Sequence, residues 1–427
     1  MLDVKRIRAD PDGVRAALGR RLDPSLEGQV ERVLELDIRR RELLVETEGL
    51  KAGRNTASEE VARRKKAKEP ADDLLADLKV SGDRVKALDA LLREVDAEID
   101  GLVITLPNLP HPGSPDGDAS ANRVVRSWGE IPRFDFPALP HWELGERLRL
   151  FDLPRGAKIA GSGFPVFTGV GARLIRSLSN FMLDLHTREH GYLELSPPYL
   201  VNEATATGTG QLPKFADEMY QVPIDGMYLI PTAEVPVTNF RRDEILDAGE
   251  LPVGYTAWTP CFRREAGAHG KDTRGLIRVH QFDKVELVRL VDPARSDEEH
   301  ALLTQQAETV LQRLELPYRV LELAAGDTGF ASARTFDLEA WAPGVEAWLE
   351  VSSSSTFTDF QARRTNIRFR PAVGAKPEFV HTLNASALAF PRVIAALLET
   401  HQLADGRVRV PAALVPYLGV EFLAPTA

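Results

Sequence analysis

Cysteine occurs once in the 427 residues, at Cys261. That excludes a disulfide framework and any zinc site built on several thiolates, and it fits a reducing compartment. No run of about 18 apolar residues is present, and the N-terminus, Met1-Leu2-Asp3-Val4-Lys5, lacks the cationic start and apolar stretch of a secretory signal. The expected location is the cytoplasm, with no membrane partner. A basic excess is missing as well: the net charge is -10, so any polyanion must meet local basic patches. What the chain does have is 43% hydrophobic composition, enough for a large core, and a length that favours two or three domains.

Residues 1 to about 26 carry a short amphipathic pattern, Val4, Ile7, Val14 and Leu18, interrupted by Asp10-Pro11-Asp12-Gly13, which reads as a helix start or turn. From about 30 to 102 charged residues are punctuated by apolar ones. Leu74, Leu78, Ser81, Val85, Leu88, Leu92, Val95, Ile99 and Leu102 keep the three-four spacing of a coiled-coil seam. Val33, Leu36, Arg40, Leu43, Thr47, Leu50, Arg54, Ala57 and Val61 keep the same register, with polar groups at alternate positions. The break falls within Arg63 to Asp72, where Pro70 suits a first turn and the following acids complement a helix dipole. The pattern predicts two helices of similar length, each roughly 45 to 50 Å at 1.5 Å per residue, paired as a hairpin that projects into solvent. Its basic tip and seam arginines suit phosphate contacts, and a solvated coiled coil used for dimerisation fits the same residues. Leu106 to Gly117, rich in proline, cannot hold a helix and separates an N-terminal domain (1–105) from a globular α/β pattern (106–427).

In the second region the densest chemistry lies between Phe262 and Glu286. Phe262-Arg263-Arg264-Glu265 reads as a strand end, a glycine-bearing loop runs to Gly275, and a strand resumes at Leu276 with Arg278, His280 and Phe282 on one face. A guanidinium can hold a phosphate in two places and an aromatic ring offers a flat face to a base, so this surface suits a nucleoside triphosphate. An ordinary hairpin with a solvated basic loop has the same pattern. Upstream, Leu174, Leu178, Phe181 and Leu185 mark a helical face, and Gly191 to Val201 reads as a proline-bearing edge strand. Helix and edge strand together make a dimer seam or an internal core. Thr207 to Phe215 reads as a mobile surface loop, and Pro231-Thr232-Ala233-Glu234 delivers a hydroxyl and a carboxylate past a short strand. Glu350 to Ser353 place a carboxylate and hydroxyls at a strand where they can hold Mg²⁺ or simply end the strand. Arg392 stands in the first turn of a late helix, a favourable place for a phosphate.

Taken in order, the proline-bearing strand after a helix, the Phe-Arg-x-Glu hairpin and the arginine opening a late helix resemble the three signature motifs of class II aminoacyl-tRNA synthetases. The finer resemblance is to the seryl-tRNA synthetase family. It extends from Met1-Leu2-Asp3-Val4-Lys5-Arg6-Ile7-Arg8 through the long hairpin, Leu106-Pro107-Asn108-Leu109-Pro110, Thr207 to Phe215, Pro231 to Glu234, His280-Gln281-Phe282 and Glu350 to Ser353, to Asp405-Gly406-Arg407-Val408. The resemblance implies an α+β architecture: an antiparallel-sheet class II catalytic domain, a homodimer through the first motif, and an N-terminal antiparallel coiled-coil arm gripping serine tRNA. It implies an ATP-dependent ligase that activates L-serine to seryl-adenylate and passes it to the 3′ end of tRNA(Ser); acceptance of tRNA(Sec) stays open.

Carried over by position, Arg263, Arg264, Glu265, Val279, Phe282, Glu350, Val351, Ser352, Ser353 and Arg392 bind ATP, with Phe282 stacked on adenine and Arg392 across from it. Arg263, Glu265 and Arg392 take the catalytic roles, Glu350 and Ser353 hold Mg²⁺, and Thr232, Ala233, Glu234, Arg263, Glu286 and Ser386 line the serine pocket. The single cysteine argues against the zinc that some members use. The third motif departs from the family in carrying Ala385, Ala387 and Pro391 where glycines are frequent. Two further readings compete. A catalytically silent synthetase-like tRNA-binding module would be marked by loss of Arg263, Glu350 or Arg392, and a ligase charging a carrier protein would lack the long arm.

Overall fold

The structure, a computed structural model, describes residues 1–266 and 274–425. It divides into two units, Met1–Pro107 and Asn108–Ala427. Much of the expected glycine-bearing loop, 267–273, lies outside the described residues.

The first unit is helical: α1 (Val4–Ala9), α2 (Pro11–Gly19), α3 (Ser25–Ala67) and α4 (Asp72–Val103). Asp10 ends α1, and its side chain accepts from the Gly13 amide to cap α2, with Pro11 in the first turn. The two long helices are unequal, against the expectation from sequence. At 43 and 32 residues they run about 65 and 48 Å. α3 starts before Val30 and carries on through the basic cluster, whose Arg63 and Arg64 both pair with Glu60, and it stops where Lys68 turns left-handed at φ 59. The whole break is thus confined to Lys68–Ala71, after which Asp72 and Asp73 occupy the first turn of α4. Along both helices every seam position predicted from the three-four spacing is buried or half-buried. Five ion pairs bridge the helices among the described residues: Arg32–Glu98 (2.7 Å), Arg40–Asp96 (2.5 Å), Lys51–Asp89 (3.1 Å), Arg84–Glu46 (2.7 Å) and, beside the break, Arg64–Asp73 (3.1 Å).

The second unit is built on an eight-stranded sheet. Its strands are β1 (Arg123–Trp128), β2 (Leu193–Glu194), β3 (Val253–Phe262), β4 (Gln281–Val291), β5 (Tyr318–Glu322), β6 (Arg334–Ala342), β7 (Ala347–Thr356) and β8 (His381–Ala389). They lie in the order β1-β5-β6-β7-β8-β4-β3-β2. Every adjacent pair is antiparallel except β2 with β3 at the edge, which is parallel. The same unit holds helices α5 (His141–Arg147), α6 (Val170–Arg188), α7 (Ser296–Arg313) and α8 (Phe390–Thr400).

The period-two rule divides the central strands between two environments. Odd positions of β4 and β8, including Val285, Leu287, Leu383 and Ala385, join Leu178 and Met182 of α6, Val310 of α7 and Ile394 of α8 in the main core. Even positions turn the other way. Val288 and Leu290 reach a smaller apolar cluster with Tyr255 and Phe369, and Phe282, Lys284, Asn384 and Ser386 line a cavity.

Three expectations change. The strand after the loop begins at Gln281, because Leu276 to His280 run through turns and bends in which Leu276 and Val279 are buried. Gly191 to Val201 is two short strands, Leu193–Glu194 and Leu200–Asn202, parted by Ser196-Pro197-Pro198-Tyr199, which cannot supply ladder donors throughout. Thr207 to Phe215 is not a surface loop: Gly208, Thr209, Gly210 and Leu212 are buried, and Thr209, Gln211 and Phe215 line the cavity.

Candidate active site

The cavity, about 270 Å³ in volume, sits over the ends of β3, β4, β7 and β8. Most residues expected to act together meet there: Thr232, Glu234, Arg263, Glu265, Val279, Phe282, Glu350, Val351, Ser352, Ser353, Ser386 and Arg392 all line it. Three do not. Arg264 turns away and donates to the Asp217 carbonyl at 3.0 Å, Ala233 is fully buried, and Glu286 lies behind the wall with no exposed surface.

One end of the cavity is cationic and aromatic. The Arg263 guanidinium carbon lies 5.3 Å from the Phe282 ring centroid, so the residues expected for phosphate and base touch each other. Arg278 pairs with Glu265 at 2.9 Å. Arg392, in the first turn of α8, donates to the Ile277 carbonyl at 3.1 Å and to the Glu350 carbonyl at 2.9 Å, and pairs with the Glu350 carboxylate at 3.3 Å. Phe282 and Pro391 also line a second cavity of about 240 Å³ that includes Phe164 and Phe167.

The opposite end is a buried polar network that the sequence reading identified only in part. Glu286 accepts from Asn384 at 2.8 Å and from the Thr232 hydroxyl at 3.1 Å, and it pairs with Lys284. Lys284 donates to the Thr232 hydroxyl at 2.8 Å. Glu234 accepts from Gln361 at 2.6 Å and from Asn384 at 3.1 Å. Burial, with the neighbouring Glu286 charge adding to it, pushes the Glu234 carboxyl up to about 7. Lys284, Asn384 and Gln361 were not anticipated. Strand alternation would have found the first two, since Lys284 is two residues from Glu286 and Asn384 two from Ser386, on the same faces.

The hydroxyls and carboxylates at the β6–β7 side suit a hard cation. Glu350 is half-exposed, Ser353 lines the cavity, and Asp337, directly across the ladder from Ser353, has a buried Oδ1 with no hydrogen-bond partner. Burial and the Glu350 charge hold the Asp337 carboxyl well above its usual range. A Mg²⁺ ion bound mainly through substrate phosphates and water needs only one or two such protein oxygens, so the donor set fits. Among the described residues, no group of three or more His, Cys, Asp or Glu side chains gathers as a metal cluster, and none of the helices is long and apolar enough to cross a membrane.

The alanines of the third motif find their place here. Ala385 and Ala387 are odd positions of β8 and point into the main core with no exposed surface, so their methyl groups do not face the cavity. Between Ser386 and Ala389 the β4–β8 ladder shifts register, and Leu388 takes φ 102. That backbone strain, of order 1–3 kcal/mol, accompanies a bulge that turns both Ser386 and Ala389 toward the cavity.

Residues 1–110 match the family described as seryl-tRNA synthetase N-terminal domain, and residues 220–401 match the class II tRNA synthetase core domain (G, H, P, S and T). A serine–tRNA ligase of Gemmatimonas aurantiaca is 56% identical over 425 residues, 99% of this chain and 100% of that protein. The chain belongs to the seryl-tRNA synthetase family. Another relative, the serine–tRNA ligase of Thermomicrobium roseum, is 53% identical over 98% of this chain and 94% of its own. Among solved members of the family, seryl-tRNA synthetase from Pyrococcus horikoshii complexed with ATP superposes with a TM-score of 0.95 at 38% identity, each chain covered completely. The cytoplasmic enzyme of Naegleria fowleri in complex with AMP gives 0.89 at 29% identity, covering 100% of this chain and 99% of that one.

Proposed function

We propose that this chain is a serine–tRNA ligase: it activates L-serine with ATP to seryl-adenylate and transfers the seryl group to the 3′ end of tRNA(Ser). The observation that carries the reading is the two-ended cavity, with Arg263, Phe282 and Arg392 at one end and Thr232, Glu234, Lys284, Asn384 and Ser386 at the other. The cationic end suits a triphosphate and a base. The polar end suits a small zwitterion with a hydroxyl, and a competitor lacking that hydroxyl would leave buried polar groups unpaired.

In the first step a serine carboxylate oxygen attacks the α-phosphorus in line, and pyrophosphate leaves with the electrons of the cleaved bond. Arg263 stabilises charge growing on the phosphoryl oxygens. Glu350 and Ser353 would hold Mg²⁺, which when bound neutralises triphosphate charge. In the second step a terminal ribose hydroxyl of tRNA attacks the seryl carbonyl carbon and AMP departs. Neither step needs a protein nucleophile, so positioning and electrostatics suffice.

The first unit serves as the tRNA-binding domain, its α3–α4 hairpin acting on tRNA(Ser), and the same recognition would extend to tRNA(Sec). Leu193, Tyr199, Leu200 and Phe240, exposed around the β2 edge, would be covered in a homodimer, and the reaction would run in the cytoplasm. A silent binding module is disfavoured because Arg263, Glu350 and Arg392 are all present in the cavity. Pyrophosphate exchange into ATP with each of the twenty amino acids tests the proposal: exchange with serine far above the other nineteen is expected, and exchange with none, or best with another amino acid, would overturn it.

A further inference from the structure

His141 and Glu399 have no exposed surface and lie outside the cavity, yet they are joined to its wall by a continuous chain of hydrogen bonds. The Leu276 amide donates to His141 Nε2 at 3.0 Å, so that nitrogen carries no proton and Nδ1–H donates to the Glu399 carboxylate at 2.7 Å. The same Glu399 oxygen accepts the His141 amide at 2.8 Å, and the other accepts the amides of Gly344 and Val345 at 2.8 and 3.1 Å. All four contacts favour the carboxylate as an acceptor, which fixes the imidazole tautomer and its orientation.

Leu276 begins the stretch Leu276-Ile277-Arg278-Val279, all four of which line the cavity. Gly275 just before it has φ +68, and a Cβ there would stand 2.3 Å from His141 Nε2, so backbone and imidazole meet only because that residue is glycine. Glu399 and Arg392 are both on α8, seven residues apart and hence on one face. Arg392 takes the Ile277 carbonyl, and Glu399, through His141, takes the Leu276 amide. One helix face therefore grips neighbouring residues of the same wall twice.

We infer that His141 and Glu399 are a positioning pair for the nucleotide: through the Leu276 amide they hold the Leu276–Val279 wall, and with it the Arg278–Glu265 pair, in the shape that receives ATP. The inference rests on the ligase reading for the identity of the nucleotide. Removing the imidazole, His141→Ala, should raise the KM for ATP in serine-dependent pyrophosphate exchange about tenfold, in proportion to one lost hydrogen bond to a buried amide. The KM for serine should move less than about twofold, since the serine end has its own network. His141→Gln, whose side-chain carbonyl can still accept from Leu276, should recover part of the loss. Should His141→Ala not fold, Gly275→Ala pushes on the same contact and should give the same split between the two KM values.

Equal rises in both KM values, or folded variants with an unchanged KM for ATP, would overturn the inference and leave the pair with a role in stability only. Calorimetric titration of ATP into wild type and His141→Ala, or Gly275→Ala should His141→Ala not fold, separates this result from the ligase reading. If wild type binds ATP but exchanges nothing with serine, the ligase reading fails; if both proteins bind ATP equally, the positioning pair fails.

Discussion

Arg32–Glu98, Arg40–Asp96, Lys51–Asp89 and Arg84–Glu46, which cross the α3–α4 hairpin, keep at least 36% of each side chain exposed, whereas Lys284 with Glu286 retain 6% and 0%. Opposite charges in water attract weakly, lose side-chain entropy when paired and are screened by salt, so each hairpin pair contributes at most about 1 kcal/mol. Around the cavity the same charges have been taken out of water, and removing one partner strands the other, a penalty of about 3–5 kcal/mol. The hairpin is held by its apolar seam and tolerates a polar exchange. The sheet unit is committed to the buried Lys284–Glu286 pair, whose lysine lines the cavity.

The comparison is broken most severely by removing one side's function whole. Arg263→Ala should cut serine-dependent pyrophosphate exchange by about 10³-fold or more, as expected for a lost phosphoryl-stabilising arginine. Deleting residues 35–95 should leave that exchange close to wild type while abolishing tRNA charging. Charging that survived the deletion would make the arm a solubility or assembly feature.

Next comes Lys284→Met, which leaves Glu286 buried with its cation gone. Urea unfolding should show a loss of about 3–5 kcal/mol, and Glu286→Ala should raise the KM for serine far more than that for ATP, though Glu286 does not touch the cavity directly.

A smaller effect follows from the raised Glu234 carboxyl. Its proton is held up to about 7, above the unfolded value, so its contribution to stability is present at low pH and fades as pH rises through 7. With Glu234 taking the serine ammonium in the proposed reading, binding draws on the ionised form, which runs the other way. Between pH 6 and 8 the KM for serine should fall about tenfold with that ionisation, and Glu234→Gln should flatten the profile. Smallest of all, Lys51→Ala on the hairpin should shift unfolding by less than about 1 kcal/mol, and less still at high salt.

How far these features were legible in the sequence differs along the chain for physical reasons. The seam could be read because α3 and α4 bury one face against each other, and local spacing alone decides which residues those are. The unequal helix lengths could not, since α3 begins at Ser25, ahead of the seam, and runs on through the basic cluster, where Arg63 and Arg64 pair with Glu60. In the sheet unit, resemblance pointed to Arg263, Glu350 and Arg392, which line one cavity, but strand periodicity misplaced Leu276 to His280, where contacts from His141 and Arg392 hold the backbone in turns. Glu286 was read as a wall residue. It is a buried partner instead, because Thr232, Lys284 and Asn384 stand in front of it and use its oxygens.

The division of β4 into two sets of neighbours has a consequence for how this segment can vary among descendants. Exchanging one letter for another alters a single environment, whereas adding or dropping one residue between Gln281 and Val291 would rotate all those beyond it by half a turn. With the shift ahead of Lys284, Val285 and Leu287 would take the cavity-side places, and the Lys284 ammonium would be driven into the main core among leucines. Drift here is therefore confined to spelling, and gaps in any alignment of kin should fall outside these eleven residues.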